Sequence, residues 1–532
     1  MRRMSTTFTD ARGLAGAALV LGILGCGSGS KATSTAGTGG AAGTGGKAGT
    51  GGVVAGTGGA VGTGGAAGTG GVAGTGGSLA DGGTDGSVPD AGSPVDLTIT
   101  VNRGTTVGTI GAAVAGLSYE KSHLDNGFFT PTNADLIGLF KRLGTSLLRI
   151  GGNSVDTTTW SATGPGGTAG VIAPPDVDAL AGFAAATGWT VLYGVNMAAD
   201  SPTAAAAEAA YVAKALGSHL HGFEIGNECD LYPTNGDRPV GWTYAEFLAQ
   251  WQTFYTPMKA AAPGALFTGP ASADHVTTWT VPFAKDAASD IVLLTQHYYR
   301  GNGMAAVSTL TELLLPDPAL LTQLGDLQAA VQANHTPGGY RLSEANSFYN
   351  GGAPGISDGF GTSLWVVDFL FTNVIHGSVG VNLHGGGNGT GYTPIADLNS
   401  VVVEARPDYY GMFLFDLAGQ GPVFETTVSA TPLNFTAYAV GPANGTTSVV
   451  LVNKDPAQAV HATVDLGKNG ASGTVTRLTG PSLGATTGYA IGGAPVSPDG
   501  GWAPVALPDI PVTGTTLVVD VPPGSAALVI VK

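Results

Sequence analysis

The chain has 532 residues, of which 88 are glycine, and a formal net charge of -16 with only 21 lysines and arginines. This charge argues against nucleic acid and an anionic membrane surface as partners, because both would repel the protein. After the N-terminal segment, Lys141 and Arg142 form the only basic cluster, so a sulfated polymer has no continuous positive path to follow. The length is sufficient for two or three domains after a low-complexity start.

Residues 1–26 have the pattern of a bacterial lipoprotein signal peptide. Two early arginines precede an apolar run at 14–25, which is shorter than the ~20 residues of a membrane-spanning helix. The run ends in Ile-Leu-Gly-Cys, which resembles a lipobox and makes Cys26 the predicted lipidation site. The alternative is an ordinary signal peptide that happens to contain a cysteine. Cys229 is the only other cysteine, so Cys26 has no evident disulfide partner, and this supports lipidation of Cys26. We therefore expect secretion across the cytoplasmic membrane and a lipid anchor at the bacterial cell envelope as the only membrane contact.

Residues 27–95 are predicted to be a flexible tether. The sequence GTGG occurs seven times between residues 37 and 77. Glycine at every third position over parts of this segment invites comparison with collagen, but residues 31–88 contain no proline and the register breaks at Ala55. A Gly-rich coil of this length would reach about 45 Å, enough to hold a domain away from a membrane.

Residues 96–422 are predicted to form a (β/α)8 barrel. Short apolar runs that end in polar residues or glycine alternate with segments of helical spacing, such as ADLIGLFKRLG and TAAAAEAAYVAKALG. Such repeated units favour a closed barrel over an open doubly wound sheet, and no GxGxxG follows a strand. The eight predicted strands are 114–120, 147–153, 190–196, 222–228, 266–271, 291–299, 340–346 and 378–384.

Residues 423–532 are predicted to form an antiparallel β-sandwich. Segments such as FTAYAV, TSVVLVN and GTVTRLTG alternate apolar and polar residues between glycine, proline and asparagine turns. The segment DLTITVN alternates in the same way, so residues 96–104 are a candidate strand of either domain.

Two glutamates stand near the ends of predicted barrel strands. Glu228 ends the fourth strand and Glu344 lies near the end of the seventh, so both should face the mouth where barrel active sites lie. Two carboxylates about 5–5.5 Å apart are the catalytic pair of a retaining glycosidase. Glu224 lies four residues before Glu228, about 13 Å down the strand at ~3.3 Å per residue, and is expected to be structural. On the sixth strand His297 and Tyr299 share a face.

Several motifs together resemble one known family. GLSYEK, LLRIGGNS, FEIGNE, LTQHYY, LSEANSFYNGG and ARPDYYGMFLF are similar to glycoside hydrolase family 79, the β-glucuronidase and heparanase family of the retaining barrel glycosidase clan. The resemblance runs from about Asp96 to the end of the chain. It implies that Glu228 is the acid/base and Glu344 the nucleophile, and that Asn227 bonds the sugar 2-hydroxyl.

The resemblance also implies further substrate contacts. Tyr299 would touch the nucleophile, and Glu120, at the end of strand one, would contact sugar hydroxyls. Tyr349 and Tyr392 lie in the loops after strands seven and eight, where the family binds the substrate carboxylate. Three of them have a plainer interpretation: a core tyrosine for Tyr299, a surface partner of Lys121 for Glu120, and a loop aromatic for Tyr392.

Other residues near the predicted mouth are given no catalytic role. Arg149 and Asn153 close strand two and could contact substrate or support those residues that do. His384 and Cys229 are expected to be structural. No His, Asp and Glu residues have metal-ligand spacing in the sequence, so neither a metal nor another cofactor is expected.

These features predict a retaining exo-β-glycosidase that removes terminal β-glucuronic acid from a β-glucuronide or a uronate-containing oligosaccharide. One alternative is a heparanase-like endo-β-glucuronidase, which would need basic residues along a cleft. A second is a barrel glycosidase for neutral sugars, such as an arabinofuranosidase. A third is a non-catalytic carbohydrate-binding lipoprotein, which the presence of both carboxylates disfavours.

Overall fold

The structure is a computed structural model that describes residues 93–506 and 509–532. The predicted signal peptide, Cys26 and nearly all of the predicted tether lie outside the described residues. Within those ranges, no helix combines the length and the apolar character needed to cross a membrane.

The described residues form twenty-two strands and ten α-helices. The strands are β1 Val95–Ile110, β2 Ala115–Glu120, β3 Leu147–Gly151, β4 Thr159–Trp160, β5 Val171–Ile172, β6 Thr190–Val195, β7 Leu220–Ile225, β8 Phe267–Ser272, β9 Leu293–Asn302, β10 Tyr340–Tyr349, β11 Val381–Gly385, β12 Ile395–Leu398, β13 Val401–Ala405, β14 Gly421–Val428, β15 Phe435–Val440, β16 Thr447–Asn453, β17 Val460–Asp465, β18 Ser472–Thr479, β19 Ala490–Ile491, β20 Ile510–Pro511, β21 Thr516–Val521 and β22 Ser525–Val531. The helices are α1 Ala134–Arg142, α2 Pro174–Thr187, α3 Pro202–Leu216, α4 Tyr232–Asn235, α5 Tyr244–Ala261, α6 Val281–Asp286, α7 Leu310–Leu314, α8 Pro318–Asn334, α9 Gly361–Ile375 and α10 Pro407–Leu417.

Eight parallel strands close into a barrel in the spatial order β10-β11-β2-β3-β6-β7-β8-β9. The predicted (β/α)8 barrel is therefore confirmed, and each of the eight predicted strands overlaps an observed one. The fourth strand is shorter than predicted, because β7 ends at Ile225 and Glu228 lies in the turn that follows. β10 is longer than predicted, and its first nine residues are buried, including Arg341 and Glu344.

Local sequence signals explain where the barrel helices begin and end. Ser201 precedes α3 and its hydroxyl accepts the Ala204 N–H at 3.1 Å, which caps the first turn. A proline then occupies the first helical position, where its missing N–H costs nothing. The helix ends at Gly217, where φ is 54° and a side chain would be strained.

The second body is a ten-stranded sheet, mostly antiparallel, built chiefly from residues after 420. β1 belongs to it, because this strand pairs antiparallel with β14 and parallel with β17. The β1–β17 pair departs from the antiparallel arrangement predicted for this domain. Every residue of β16 is buried: Val449 and Leu451 face the core of the β-domain, while Val450 and Val452 face the core shared with the barrel.

The β-domain packs on α9, the helix that follows β10. The Phe371 ring stacks on Tyr438 with 4.2 Å between ring centroids and 2° between planes. Asp368 accepts hydrogen bonds from Thr436 at 2.6 Å and from Tyr438 at 3.1 Å, and pairs with Lys454. These contacts join the β-domain to the helix that follows the seventh barrel strand.

Candidate active site

Glu228 and Glu344 meet at the carboxyl-terminal mouth of the barrel. One carboxylate oxygen of each, and one ring nitrogen of His297, all lie within 4.8 Å of one another. Glu228 comes from the turn after β7 and Glu344 from β10, the fourth and seventh barrel strands. This separation is close to the ~5–5.5 Å between the two carboxyl groups of retaining glycosidases.

The Gly-Asn-Glu sequence is explained by the turn that it forms. Gly226 has a φ of 80°, and a Cβ there would collide with the Cys229 sulfur. Glu228 is itself left-handed, with φ 49° and ψ 46°, a conformation that costs an L-residue roughly 1–2 kcal/mol. Its N–H is held by the Ala271 carbonyl at 2.9 Å. Cys229 is buried below the turn, as expected of a packing residue.

Glu344 is held by three neighbours in a buried position. Arg149 Nη1 donates to its Oε2 at 2.7 Å, and the Tyr299 hydroxyl donates to its Oε1 at 2.8 Å. His384 Nδ1 lies 3.6 Å from Oε2. Burial alone would raise the pKa of Glu344, but electrostatic interactions with His384, His297 and Arg149 outweigh it and hold this pKa well below its usual range. The carboxyl group is therefore ionised.

Glu228 has the opposite electrostatic environment. Burial raises the pKa of Glu228, and the negative charges of Glu344 and Asp230 raise it further. His297 Nδ1 lies 2.9 Å from Glu228 Oε1 and opposes this rise without cancelling it. Two adjacent carboxyl groups whose pKa values are pushed apart can serve as an acid and a nucleophile in one reaction.

Arg149 connects the residues of the site. Its guanidinium, with no exposed surface, also donates to Glu224 Oε2 at 2.6 Å and to Asn227 Oδ1 at 2.9 Å. These bonds fit one of the two roles that the sequence left open for Arg149, the support of neighbouring site residues. Glu224 is also buried and held deep in the barrel.

Asn227 is oriented by both ends of its side-chain amide. Its Oδ1 accepts from Arg149, and its Nδ2 donates to Asn153 Oδ1 at 3.3 Å. Because an amide nitrogen carries two hydrogens, one remains for a ligand. Asn153 thus supports Asn227 from the loop after β3.

Glu120 and His384 form a second polar pair at the mouth. Glu120 accepts the backbone N–H groups of Asn153 at 3.2 Å and Ser154 at 2.7 Å, while His384 Nε2 lies 3.7 Å away. Lys121 instead pairs with Glu208, so it does not form the surface pair considered for Glu120. His384 lies beside both Glu120 and Glu344, a placement that the sequence analysis missed. The available signal was strand alternation. His384 lies two residues after Asn382, whose side chain points into the barrel, so the His384 side chain points the same way.

The three predicted tyrosines lie side by side. The Tyr299 hydroxyl is 3.4 Å from the Tyr392 hydroxyl, and the Tyr349 ring packs edge-on against Tyr299 with 6.4 Å between centroids. Burial, then the charge of Glu344, raises the pKa of Tyr299, so its hydroxyl stays a neutral donor. Tyr349 is 45% exposed at the rim. Tyr298 points away from the site and donates to Asp317 at 2.7 Å.

Glycines fix the loops next to these tyrosines. Tyr299 lies on β9 and Tyr349 ends β10 instead of lying in the loop after it, whereas Tyr392 lies in the loop after β11. A Cβ on Gly391 would collide with the Gly351 carbonyl, and one on Gly303 would collide with the Gly352 carbonyl. The loops after β9, β10 and β11 therefore pack backbone against backbone. This close packing holds Tyr349 and Tyr392 next to the carboxylate pair.

Among the described residues, Glu228, His297 and Glu344 are the one group with the spacing of metal ligands. Their positions in the sequence gave no sign of this, because Glu228 comes from the turn after β7, His297 from β9 and Glu344 from β10. Arg149 places a permanent positive charge 2.7 Å from Glu344, which opposes a cation at the same carboxylate. The donor set thus fits the acid–nucleophile pair better than a metal centre.

Comparison with known proteins finds relatives that match part of the chain. No protein-family model matches the sequence. The chain is similar to a β-glucuronidase of Aspergillus niger, 30% identical over 224 residues that make up 37% of this chain and 40% of that protein. It is also similar to a β-glucuronidase of Neurospora crassa, 27% identical over 281 residues, or 45% of this chain and 49% of that protein. The chain thus matches less than half the length of either curated relative.

Solved structures share the fold more completely. A 4-O-α-L-rhamnosyl-β-D-glucuronidase from Fusarium oxysporum matches with a TM-score of 0.66 and 18% identity, over 81% of this chain and 99% of that chain. An α-L-arabinofuranosidase from Thermotoga maritima matches with a TM-score of 0.62 and 16% identity, over 82% of this chain and 99% of that chain. At these identities the matches show the fold alone.

Proposed function

We propose that the protein is a retaining exo-β-glucuronidase similar to glycoside hydrolase family 79, with Glu344 as nucleophile and Glu228 as acid/base. The observation that carries this proposal is the carboxylate pair, whose oxygens lie within 4.8 Å while their pKa values shift in opposite directions. A protein that only binds carbohydrate has no need for such a pair.

The proposed chemistry is a double displacement. Ionised Glu344 attacks the anomeric carbon while protonated Glu228 donates its proton to the departing oxygen. Glu228, now ionised, then takes a proton from water, which attacks the glycosyl–enzyme and releases the sugar with its configuration retained. Asn227 would donate its free amide hydrogen to the sugar 2-hydroxyl, and Glu120 would accept from other sugar hydroxyls.

The proposed substrate class is the β-glucuronides. Both curated relatives are named β-glucuronidases. In this chain, the uronate carboxylate would be bound by the hydroxyls of Tyr349 and Tyr392 and by backbone N–H groups. Hydrogen bonds to a charged group are roughly twice as strong as neutral ones, so neutral donors suffice for one carboxylate.

Four basic side chains near the mouth, in the part of the chain that the structure describes, already have partners. This favours a small substrate over a sulfated polymer. Lys121 pairs with Glu208, and Arg300 pairs with Glu312 and Asp317. Similarly, Arg238 donates to the Met197 and Ala198 carbonyls, and Arg406 pairs with Glu404. A polyanion would have to break these contacts to gain a cation. This observation favours the exo-acting enzyme over the heparanase-like alternative.

The test of the proposed function is the rate of hydrolysis of three aryl glycosides by the purified protein. The proposal expects aryl β-D-glucuronide to be strongly preferred over aryl β-D-glucoside and aryl α-L-arabinofuranoside. A glucuronide-to-glucoside ratio of kcat/KM near one, or better turnover of the arabinofuranoside, would overturn the uronidase assignment. Absence of hydrolysis on every sugar would favour the binding-protein alternative.

We also propose that Cys26 anchors the enzyme at the cell envelope through a lipid. The proposal rests on the lipobox-like Ile-Leu-Gly-Cys and on the apolar run before it. Cys26→Ser should abolish labelling of the expressed protein by radioactive palmitate. Labelling that persists in this variant would contradict the assignment.

A further inference from the structure

One buried carboxylate ties together the loops after three consecutive barrel strands. Asp156 lies in the turn Asn153–Thr157 after β3 and is 6% exposed. Its Oδ1 accepts the N–H groups of Met197 at 3.1 Å and Ala198 at 3.3 Å, which follow β6. Its Oδ2 accepts the N–H of Asn227 at 3.1 Å, which follows β7. Asp156 is thus positioned to fix the loops relative to one another.

The loop after β7 depends on such an outside contact. Glu228 occupies a left-handed conformation that an isolated glutamate disfavours. The turn is held on one side by the Glu228 N–H bonded to the Ala271 carbonyl. On the other side it is held by the Asn227 N–H bonded to Asp156. Without Asp156, the buried Asn227 N–H would lose its partner and the turn would lose one of its backbone restraints.

We propose that Asp156 is a positioning residue, which aims the Glu228 carboxyl group at the departing oxygen of the substrate. This inference rests on the proposed function, in which Glu228 is the acid/base. Asp156 reaches no substrate itself, because it is buried and both of its oxygens bind backbone N–H groups. Its effect on the reaction is therefore exerted through the Asn227–Glu228 turn.

The role predicts a dependence on the leaving group. A poor leaving group such as phenol needs the proton of Glu228, so a displaced carboxyl slows its departure. An activated group such as 2,4-dinitrophenol leaves without a proton and is insensitive to where Glu228 points. A displacement on the order of 1 Å can cost about 100-fold in rate, which sets the expected loss for poor leaving groups.

The experiment measures kcat/KM for a series of aryl β-glucuronides with wild type, the nearly isosteric Asp156→Asn and the shorter Asp156→Ser. The control is Asp176→Asn. Asp176 is equally buried at 6% and accepts the N–H groups of Gly167 at 2.8 Å and Ala173 at 2.9 Å, at the start of α2. It tests the general cost of removing a buried carboxylate. Thermal unfolding of each variant shows that the compared proteins are folded.

The Asp156 variants should lose about 10- to 100-fold on phenyl glucuronide and little on the dinitrophenyl compound. In Asp176→Asn, any loss of kcat/KM should not depend on the leaving group. A double variant, Asp156→Ser with Glu228→Ala, should be no slower than Glu228→Ala alone on any substrate, because the two residues act through one group. Additive losses, or a uniform loss in the Asp156 variants, would overturn the inference.

Glu228→Ala alone distinguishes this failure from failure of the proposed function. If Glu228→Ala shows a steep leaving-group dependence and the Asp156 variants do not, only the role of Asp156 is wrong. If Glu228→Ala itself shows none, the acid/base assignment is wrong and the inference falls with it.

Discussion

Arg149 donates to Glu344 at 2.7 Å in the interior of the barrel mouth, where neither side chain has appreciable contact with water. The same guanidinium binds Glu224 at 2.6 Å, so one positive charge lies between two carboxylates. Buried charges of this kind are costly to leave unpaired. The pair thus keeps Glu344 ionised and limits its rotation.

The first prediction concerns Arg149→Met. Because Arg149 lowers the pKa of Glu344, its removal should raise that pKa. The nucleophile must be ionised, so the acidic limb of the pH profile of kcat/KM should move to higher pH, with a loss of at least about 100-fold at neutral pH. Arg341→Met is the control, because Arg341 is also buried but binds the Ala113 carbonyl at 2.8 Å. An unshifted acidic limb in folded Arg149→Met would refute this role.

The second prediction concerns the left-handed turn. Glycine adopts a φ of 49° without strain, whereas alanine does not. Glu228→Gly should therefore be about 1 kcal/mol more stable than Glu228→Ala. The measurement is the free energy of unfolding in urea, and the comparison does not depend on activity because both variants lack the carboxyl group. Equal stability of the two variants would mean that the turn is not left-handed.

The third prediction concerns Asp408, a buried residue on α10. Burial raises the pKa of Asp408 to about 7, and among the described residues only the Asn346 amide donates to it, at 3.2 Å. The folded pKa lies above the unfolded one, so the folded state gains stability as the pH falls from 8 towards 5. Asp408→Asn should therefore be more stable than wild type at pH 8 by about 1–3 kcal/mol, with a smaller difference at pH 5. Urea unfolding at both pH values measures the stability of the variant relative to wild type. A stability difference that is larger at pH 5 than at pH 8 would contradict the prediction.

The fourth prediction concerns the tyrosines proposed to bind the uronate. Tyr349→Phe and Tyr392→Phe should each lower kcat/KM on aryl β-D-glucuronide by roughly 10- to 150-fold, the equivalent of about 1.5–3 kcal/mol for one bond to a charged group. Turnover of the glucoside should change little. Tyr298→Phe is the control, because its hydroxyl binds Asp317 outside the site. Equal losses on both sugars would indicate a general role instead of carboxylate binding.

The barrel could be predicted because its strands carry a local signal. Runs such as LLRIGG and LSEAN combine apolar residues with a polar end, and each coincides with an observed strand. The proximity of Glu228 and Glu344 followed from the strand count, since strands four and seven face each other in a closed ring.

The contacts within the site had no such local signal. The carboxylate partners of Arg149 come from β7 and β10, and no sequence spacing reveals which carboxylates a guanidinium will reach. His384 was expected to be structural because the sequence does not show how far its ring extends towards Glu344. The left-handed turn at Glu228 depends on contacts with Asp156 and the Ala271 carbonyl, both distant in sequence.

The central claim is a double displacement at a glucuronide with Glu344 as nucleophile. Its most direct test is to treat the protein with a 2-deoxy-2-fluoro-β-D-glucuronyl fluoride and to map the label by peptide mass spectrometry. The account predicts inactivation, a mass gain of one fluoroglycosyl unit and a label on the peptide that contains Glu344, because fluorine slows breakdown of the intermediate. A label on Glu228 or Glu120, or an enzyme that hydrolyses glucuronides yet acquires no label, would contradict the account.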